Sequence, residues 1–275
     1  MSQSPGSPSL DVAGLRSLAV EVAIEAGTLL QGFARDLAEG RDIDVSSKST
    51  STDPVSEADR AAERLIAERL LAARPDDGML GEEDQAGRTG SSGLTWVVDP
   101  LDGTVNFLYG LPAWSVSIAA VDADGPIAGA VHHPPMEEIF HAARGAGAKL
   151  GDRSLACSQV ADLSDTLVAT GFAYDRAVRS DQARMAVGLL QQVRDLRRAG
   201  SAALDLAWVA AGRHDAYLEF GLNVWDWAAG RLLITEAGGV VSEHRRPLGG
   251  QERPGLVAGG RAAHDHLVDW LEDRS

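Results

Sequence analysis

The sequence predicts an α/β (α+β) protein of layered helices and sheets rather than a parallel doubly wound sheet. Short strand-like runs follow one another, helices of moderate length are interleaved with them, and no Gly-x-Gly-x-x-Gly or P-loop pattern occurs. The 275 residues, 44% hydrophobic and 24% charged, suffice for one large domain or two packed ones, since domains run to roughly 100–200 residues.

The elements follow in order. Residues 1–9, rich in Ser, Pro and Gly, read as a disordered tail. From Leu10, the apolar Val12, Leu15, Ala19, Val22, Ala26, Leu29 and Phe33 recur every three or four residues and predict one amphipathic helix. EGRDIDVSSKSTST at 39–52 has few core formers and reads as an exposed loop. Asp53 as N-cap and Pro54 at the first helical position then open a helix that runs to about Arg74 through Ala58, Ala62, Leu65, Ile66 and Leu70. QAGRTGSSG at 85–93 is a flexible loop, and strand-like runs follow at 94–98, 114–121, 127–132 and 138–143. Asp122-Ala123-Asp124-Gly125 is a hairpin signal among them. A strand near 166–170 and helices near 181–193 and 201–211 come next. They lead to a strand at 215–220, a helix at 225–237 ending at Gly238-Gly239, a strand at 256–258 and a helix from Arg261.

A net charge of −15 argues against a nucleic-acid partner, which needs a clustered basic surface. The densest basic run, RDLRR at 194–198, reads as a solvated helix end followed by a strand. The acidity also repels a phosphate substrate unless divalent cations intervene. Cys157 is the sole cysteine, so no intrachain disulfide forms, and it reads as buried packing. There is no basic n-region, and no apolar run approaches the ~18 residues of a membrane span, so a cytosolic protein without a membrane partner is expected. His132 and His133 point to opposite faces of a strand, and His264 and His266 lie two apart on a helix, spacings that do not converge on a transition metal.

The acids are the informative residues. In WVVDPLDG the Val-Val run is strand-like and Pro100 holds Asp99 extended, so the strand should end there. The turn brings Asp102 back near Asp99, and Gly103-Thr104 open a helix whose backbone N–H groups face outward beside the two carboxylates. Read alone, Asp102 serves equally as the N-cap of that helix and Asp99 as a turn cap. Glu82, Glu83 and Asp84 end a short apolar run that is ordinarily a solvated loop, and Asp226, between Trp225 and Trp227 at a helix start, is an N-cap by default.

Taken together, GEED at 81–84, DPLDGTVNF at 99–107, WDWAAG at 225–230 and TEAGG at 235–239 resemble the ordered motifs of the inositol monophosphatase family, lithium-sensitive, magnesium-dependent phosphatases. The resemblance extends to KSTSTDPVSEAD at 48–59 and RRAGSAALDLAWVAAGRHDAYLEFGL at 197–222, and so covers nearly all of the chain from Leu10. It implies the α-β-α-β-α sandwich of the inositol monophosphatase and fructose-1,6-bisphosphatase type, with an N-terminal half over 10–155 that carries the metal and phosphate motifs and a C-terminal half over 156–275 that completes the site, and a homodimer.

The resemblance also implies a site. Glu82, Asp99 and the Leu101 carbonyl hold one Mg²⁺, and Asp99, Asp102 and Asp226 a second; hard oxygen ligands suit that ion. The N–H groups of Gly103 and Thr104 bind phosphate, and Glu82 with the Thr104 hydroxyl orients the water that the metals activate. Lys48 lies on a mobile segment covering the site and Asp59 near a weak third metal; the plainer alternatives are a solvated lysine and a helix-surface acid. Glu219 binds substrate hydroxyls unless it is simply an edge-strand acid, and Ser201 and Ala202 line the same pocket with Asp102 and Asp226. Inositol 1-phosphate leads as substrate, with histidinol phosphate, fructose 1,6-bisphosphate and NADP as alternatives; no obvious basic pocket for a second phosphate is present. A metal-dependent regulatory or RNA-machinery binding protein is the alternative of another class.

Overall fold

The computed structural model of the chain describes residues 11–41, 45–47, 54–84 and 87–273. The tail at 1–9 and Lys48 lie outside the described residues. The elements are α1 (Val12–Ala38), β1 (Val45–Ser47), β2 (Pro54–Ser56), α2 (Glu57–Ala73), β3 (Gly78–Gly81), β4 (Thr95–Asp102), α3 (Thr104–Leu108), β5 (Ser115–Asp122), β6 (Gly125–His133) and β7 (Glu138–Ala143). Then follow β8 (Ala148–Leu150), β9 (Arg153–Ser154), β10 (Leu167–Thr170), α4 (Arg176–Leu190), β11 (Asp195–Arg197), α5 (Ala202–Ala210), β12 (Ala216–Phe220), α6 (Val224–Glu236), β13 (Val240–Leu248), β14 (Gln251–Gly259) and α7 (Arg261–Glu272).

Two larger sheets carry the molecule. The seven-stranded sheet runs β3-β4-β5-β6-β7-β8-β9, antiparallel except for β3 beside β4; the five-stranded sheet runs β11-β10-β12-β14-β13. On β4 successive residues serve opposite faces, as the two-residue period of a strand requires. Trp96 and Val98 pack with Leu15, Leu30, Ile66 and Leu70 of α1 and α2, while Val97 packs with Leu206 of α5 and Leu233 of α6. Both faces being covered, the strand reads as a continuous apolar run. On β12 Tyr217 faces the α5–α6 layer, and Ala216, Leu218 and Phe220 pack against Val178 and Leu189 of α4 and Leu267 and Trp270 of α7. The layers are therefore α1/α2, the large sheet, α5/α6, the smaller sheet and α4/α7, an α-β-α-β-α sandwich.

Several local expectations are corrected. The second helix starts at Glu57, because Pro54–Ser56 pair with Val45–Ser47; the polar loop thus contributes a strand. β4 continues past Asp99 to Asp102, and three steps along it oppose two along β5, an extra residue absorbed beside Pro100. α4 begins at Arg176, earlier than periodicity suggests, because Asp175 caps it by accepting from the N–H groups of Ala177 and Val178. Within RDLRR, residues 195–197 form β11 itself. β13 was not expected at all, and β12 lies between β10 and β14 rather than at an edge.

Candidate functional site

Bulge and turn set the two aspartates of DPLDG apart in role. Asp99, 2% exposed, accepts the Leu101 N–H on Oδ1 at 3.1 Å, so part of its carboxylate does cap the turn. Asp102 does not cap α3, whose N-cap is Gly103 at φ 96°, a conformation that favours glycine; a Cβ there would sit 2.9 Å from the Ala113 carbonyl oxygen. Its Oδ2 instead accepts from Ser201 Oγ and from the Ala203 N–H, both at 2.7 Å, across 99 and 101 residues of sequence. Asp102 thereby caps α5 in concert with Ser201, whose Oγ accepts the Leu204 N–H at 3.3 Å. Thr104 Oγ1 lies 3.0 Å from Asp59 Oδ1 and 3.2 Å from the Leu101 carbonyl oxygen.

From the other side come α6 and β12. Asp226 is the third residue of α6 and forms a capping box with Asn223, accepting the Asn223 N–H on Oδ2 at 2.6 Å; the N-cap itself is Asn223. Glu219 accepts the Tyr217 hydroxyl on Oε2 at 2.5 Å. A cavity of about 290 Å³ is lined by Glu82, Asp99, Leu101, Asp102, Gly103, Thr104, Ser201, Ala202, Glu219 and Asp226 together, so segments from both large sheets and both inner helices meet there. Asp59 stands behind Thr104 rather than on the cavity wall and is fully buried, which rules out the helix-surface reading.

Crowding these acids raises their affinity for protons. Burial, then the carboxylates of Glu82, Asp102 and Asp226, holds the Asp99 carboxyl well above the usual range. Burial, then Asp102 and Glu82, does the same to Asp226. Burial pushes Asp102 up to about 7 against the hydrogen bonds from Ser201 and Ala203. Glu219 also reaches about 7, burial outweighing the Tyr217 hydroxyl and the Arg198 cation. Among the described residues, no group of three or more His, Cys, Asp or Glu side chains is set to hold a metal ion as it stands; Asp102 and Asp226 each commit an oxygen to backbone N–H groups. The chemistry of the donor set nonetheless fits a hard divalent cation: carboxylates and a carbonyl, no thiol or imidazole, and negative charge that is unfavourable without a counter-charge.

Some cavity residues carried no signal of their own in the sequence. Asp205, 2% exposed, is one turn after Ser201 on α5, and burial followed by Glu219 and Asp102 raises its carboxyl well above normal. Its spacing from Ser201 within SAALD was the available cue. Arg198, read as part of a solvated run, lines the cavity beside Glu219, so a cation does face the substrate space. His132 Nδ1 meets the Ala23 carbonyl oxygen, His133 Nε2 that of Pro112 and His266 Nε2 that of Ala161, while His244 and His264 both meet the Ser242 hydroxyl, at 2.7 and 2.8 Å. Cys157 is buried, its thiol pushed up to about 11 by burial.

Comparison with known proteins points the same way as the motifs. The inositol monophosphatase family model matches residues 11–273. The chain is 45% identical to inositol-1-monophosphatase SuhB of Mycobacterium tuberculosis over 278 aligned residues, 96% of each chain. It is 43% identical to the Nus factor SuhB of Xylella fastidiosa over 83% of this chain and 82% of that one. Among solved structures, the extragenic suppressor protein suhB of Bartonella henselae superposes with a TM-score of 0.82 at 37% identity, covering 92% of this chain and 96% of the other.

Proposed function

The chain belongs to the inositol monophosphatase family, and from that premise we propose that it is a Mg²⁺-dependent phosphoric monoester hydrolase acting on inositol 1-phosphate. The observation that carries the reading is one cavity in which buried Asp99 and half-buried Asp102 and Asp226 share space with Glu82 and the start of α3, the three aspartates raised toward the protonated form. Glu82, Asp99, the Leu101 carbonyl, Asp102 and Asp226 are the groups that would hold two Mg²⁺, with Asp59 near a third. When bound, the ions neutralise these carboxylates, draw in the phosphoryl oxygens and acidify water.

The chain's own residues then divide the work. The Gly103 and Thr104 N–H groups donate to a phosphoryl oxygen. Thr104 donates its hydroxyl hydrogen bond to Asp59 or to the Leu101 carbonyl, 3.0 and 3.2 Å away, which leaves Oγ1 lone pairs to accept a hydrogen bond from the attacking water; Glu82 accepts from the other side of that water. With Tyr217 donating to Oε2, Glu219 keeps Oε1 to accept vicinal hydroxyls of the leaving group. Ser201, its hydroxyl committed to Asp102, and Ala202 line that side through their backbone. The same reading carries a homodimer and a cytosolic location.

Phosphate release measured on inositol 1-phosphate, histidinol phosphate, fructose 1,6-bisphosphate and NADP in parallel tests it. Expected are turnover highest on inositol 1-phosphate, loss of turnover in EDTA, uncompetitive inhibition by millimolar Li⁺, and a fall of more than about 100-fold for Asp99→Asn. The second reading, a metal-dependent regulatory or RNA-machinery binding protein, has one observation on its side, the Nus factor name of the Xylella relative. Absent turnover on every ester would favour it.

A further inference from the structure

Of the segments that carry Glu82, Asp99, Asp102 and Asp226, that of Glu82 lies outside a strand or helix: β3 ends at Gly81, whereas Asp99 and Asp102 lie in β4 and Asp226 in α6. A carboxylate from α2 anchors it. Glu63, 7% exposed, accepts the Glu83 N–H on Oε2 at 2.9 Å and the Asp84 N–H on Oε1 at 2.8 Å, one oxygen for each of two consecutive amides. Gly81 makes the approach possible, because a Cβ at that position would lie 2.4 Å from Glu63 Oε2. One turn earlier on the same face of α2, Asp59 receives the Thr104 hydroxyl. A single helix face thus reaches both the Glu82 segment and the start of α3.

The arrangement asks for a carboxylate. Burial pushes Glu63 up, the two amides pull it down, and the carboxylates of Asp84 and Glu82 push it up again, so the acid sits among like charges that disfavour it. What it supplies is two acceptor oxygens; a glutamine has one, and its NH₂ would face an N–H donor.

Resting on the functional reading above, we propose that Glu63 is a positioning residue for the phosphatase reaction: its carboxylate fixes the backbone at 82–84 and thereby sets the Glu82 carboxyl against Asp99. Supporting groups behind metal ligands commonly cost 10- to 100-fold in affinity or rate when lost. A staple that merely holds a loop to a helix lowers stability and leaves the ligands as good as before.

Two variants separate these. Glu63→Gln keeps the shape and removes one acceptor; Gly81→Ala keeps the carboxylate and displaces it. In both, Mg²⁺ titrated calorimetrically into the metal-free protein is expected to bind about 10- to 100-fold more weakly. Amide hydrogen exchange at 82–84 quickens, and at saturating Mg²⁺ kcat falls while KM for inositol 1-phosphate holds within about twofold. Mg²⁺ affinity within about twofold of the unaltered chain, whatever the change in Tm, overturns the proposal. Should Gly81→Ala fail to fold, Glu63→Gln alone decides. An unaltered chain that neither binds Mg²⁺ nor turns over any ester fails the functional reading itself, a result distinct from variants that bind as tightly as an active parent.

Discussion

His214 lies edge-on to Trp208, ring centroids 5.4 Å apart, with its Nδ1 3.6 Å from Asp205 Oδ1. Burial, aided by the cations of Arg197 and Arg213 and opposed by Asp215, pushes its imidazole down to about 4. The unfolded imidazole titrates near 6.5, so the unfolded chain takes up this proton first. The stability tied to neutral His214 is therefore complete above about pH 6.5 and is lost as pH falls through 4, by up to about 3 kcal/mol. Urea titrations at pH 7 and 4.5 should show a smaller drop for His214→Gln than for the unaltered chain; equal drops would refute the assignment. At this scale the sequence is readable where an acid sits inside a short patterned motif, as Asp99, Asp102 and Asp226 do. Glu63 and Asp205 sit in helical runs that look like any other, and only their positions in space distinguish them. Arg198 was missed for the converse reason: a basic run is ordinarily solvated, and nothing in RDLRR says which of its cations turns inward.

Helices were the most legible elements because their faces are wide and buried. α1 buries Leu15, Ala19, Val22 and Ala26 at the spacing read from the sequence, with Ala23 beside them and Leu30 buried where Leu29, only partly buried, was expected. Leu30 is fully buried there, so Leu30→Ala should lower the unfolding free energy by about 2–5 kcal/mol, read as a shift in urea midpoint at unchanged m. A loss below about 0.5 kcal/mol would mean that α1 contributes little to the core. Strands were harder. β13 alternates partly buried with exposed residues along a polar, arginine-containing edge, so it presents no apolar face to read. β8 and β9 are too short to show a period. The start of α2 was misplaced because the same Pro that favours a first helical turn also suits the first residue of a strand, and pairing with β1 decides between them.

Across the whole molecule, the layered sandwich concentrates its unfavourable charge in one place. Asp102 and Glu219 titrate near 7 in the fold, against about 3.9 and 4.3 unfolded. Groups raised in this way stabilise most in acid, and that stability is lost as pH rises through 7. In EDTA the Tm should accordingly fall between pH 5.5 and 8, and 10 mM MgCl₂ should restore it by a larger margin at pH 8. Scanning fluorimetry at the two pH values checks this, and a magnesium effect independent of pH would contradict it. The architecture itself was legible only through family resemblance, since strand runs and helix periods fix which layers exist but not which faces meet.

Asp102 has its backbone at the end of β4 and its carboxylate on the first turn of α5, a hundred residues onward. The bond that finishes one helix is thus the bond that closes the cleft. A polypeptide severed in the connection between the two sheets would leave one fragment with α5 capped by Ser201 alone and the other with Asp102 lacking those donors, and neither alone could enclose the cleft. Recovery of ion binding on mixing such fragments would then report their docking.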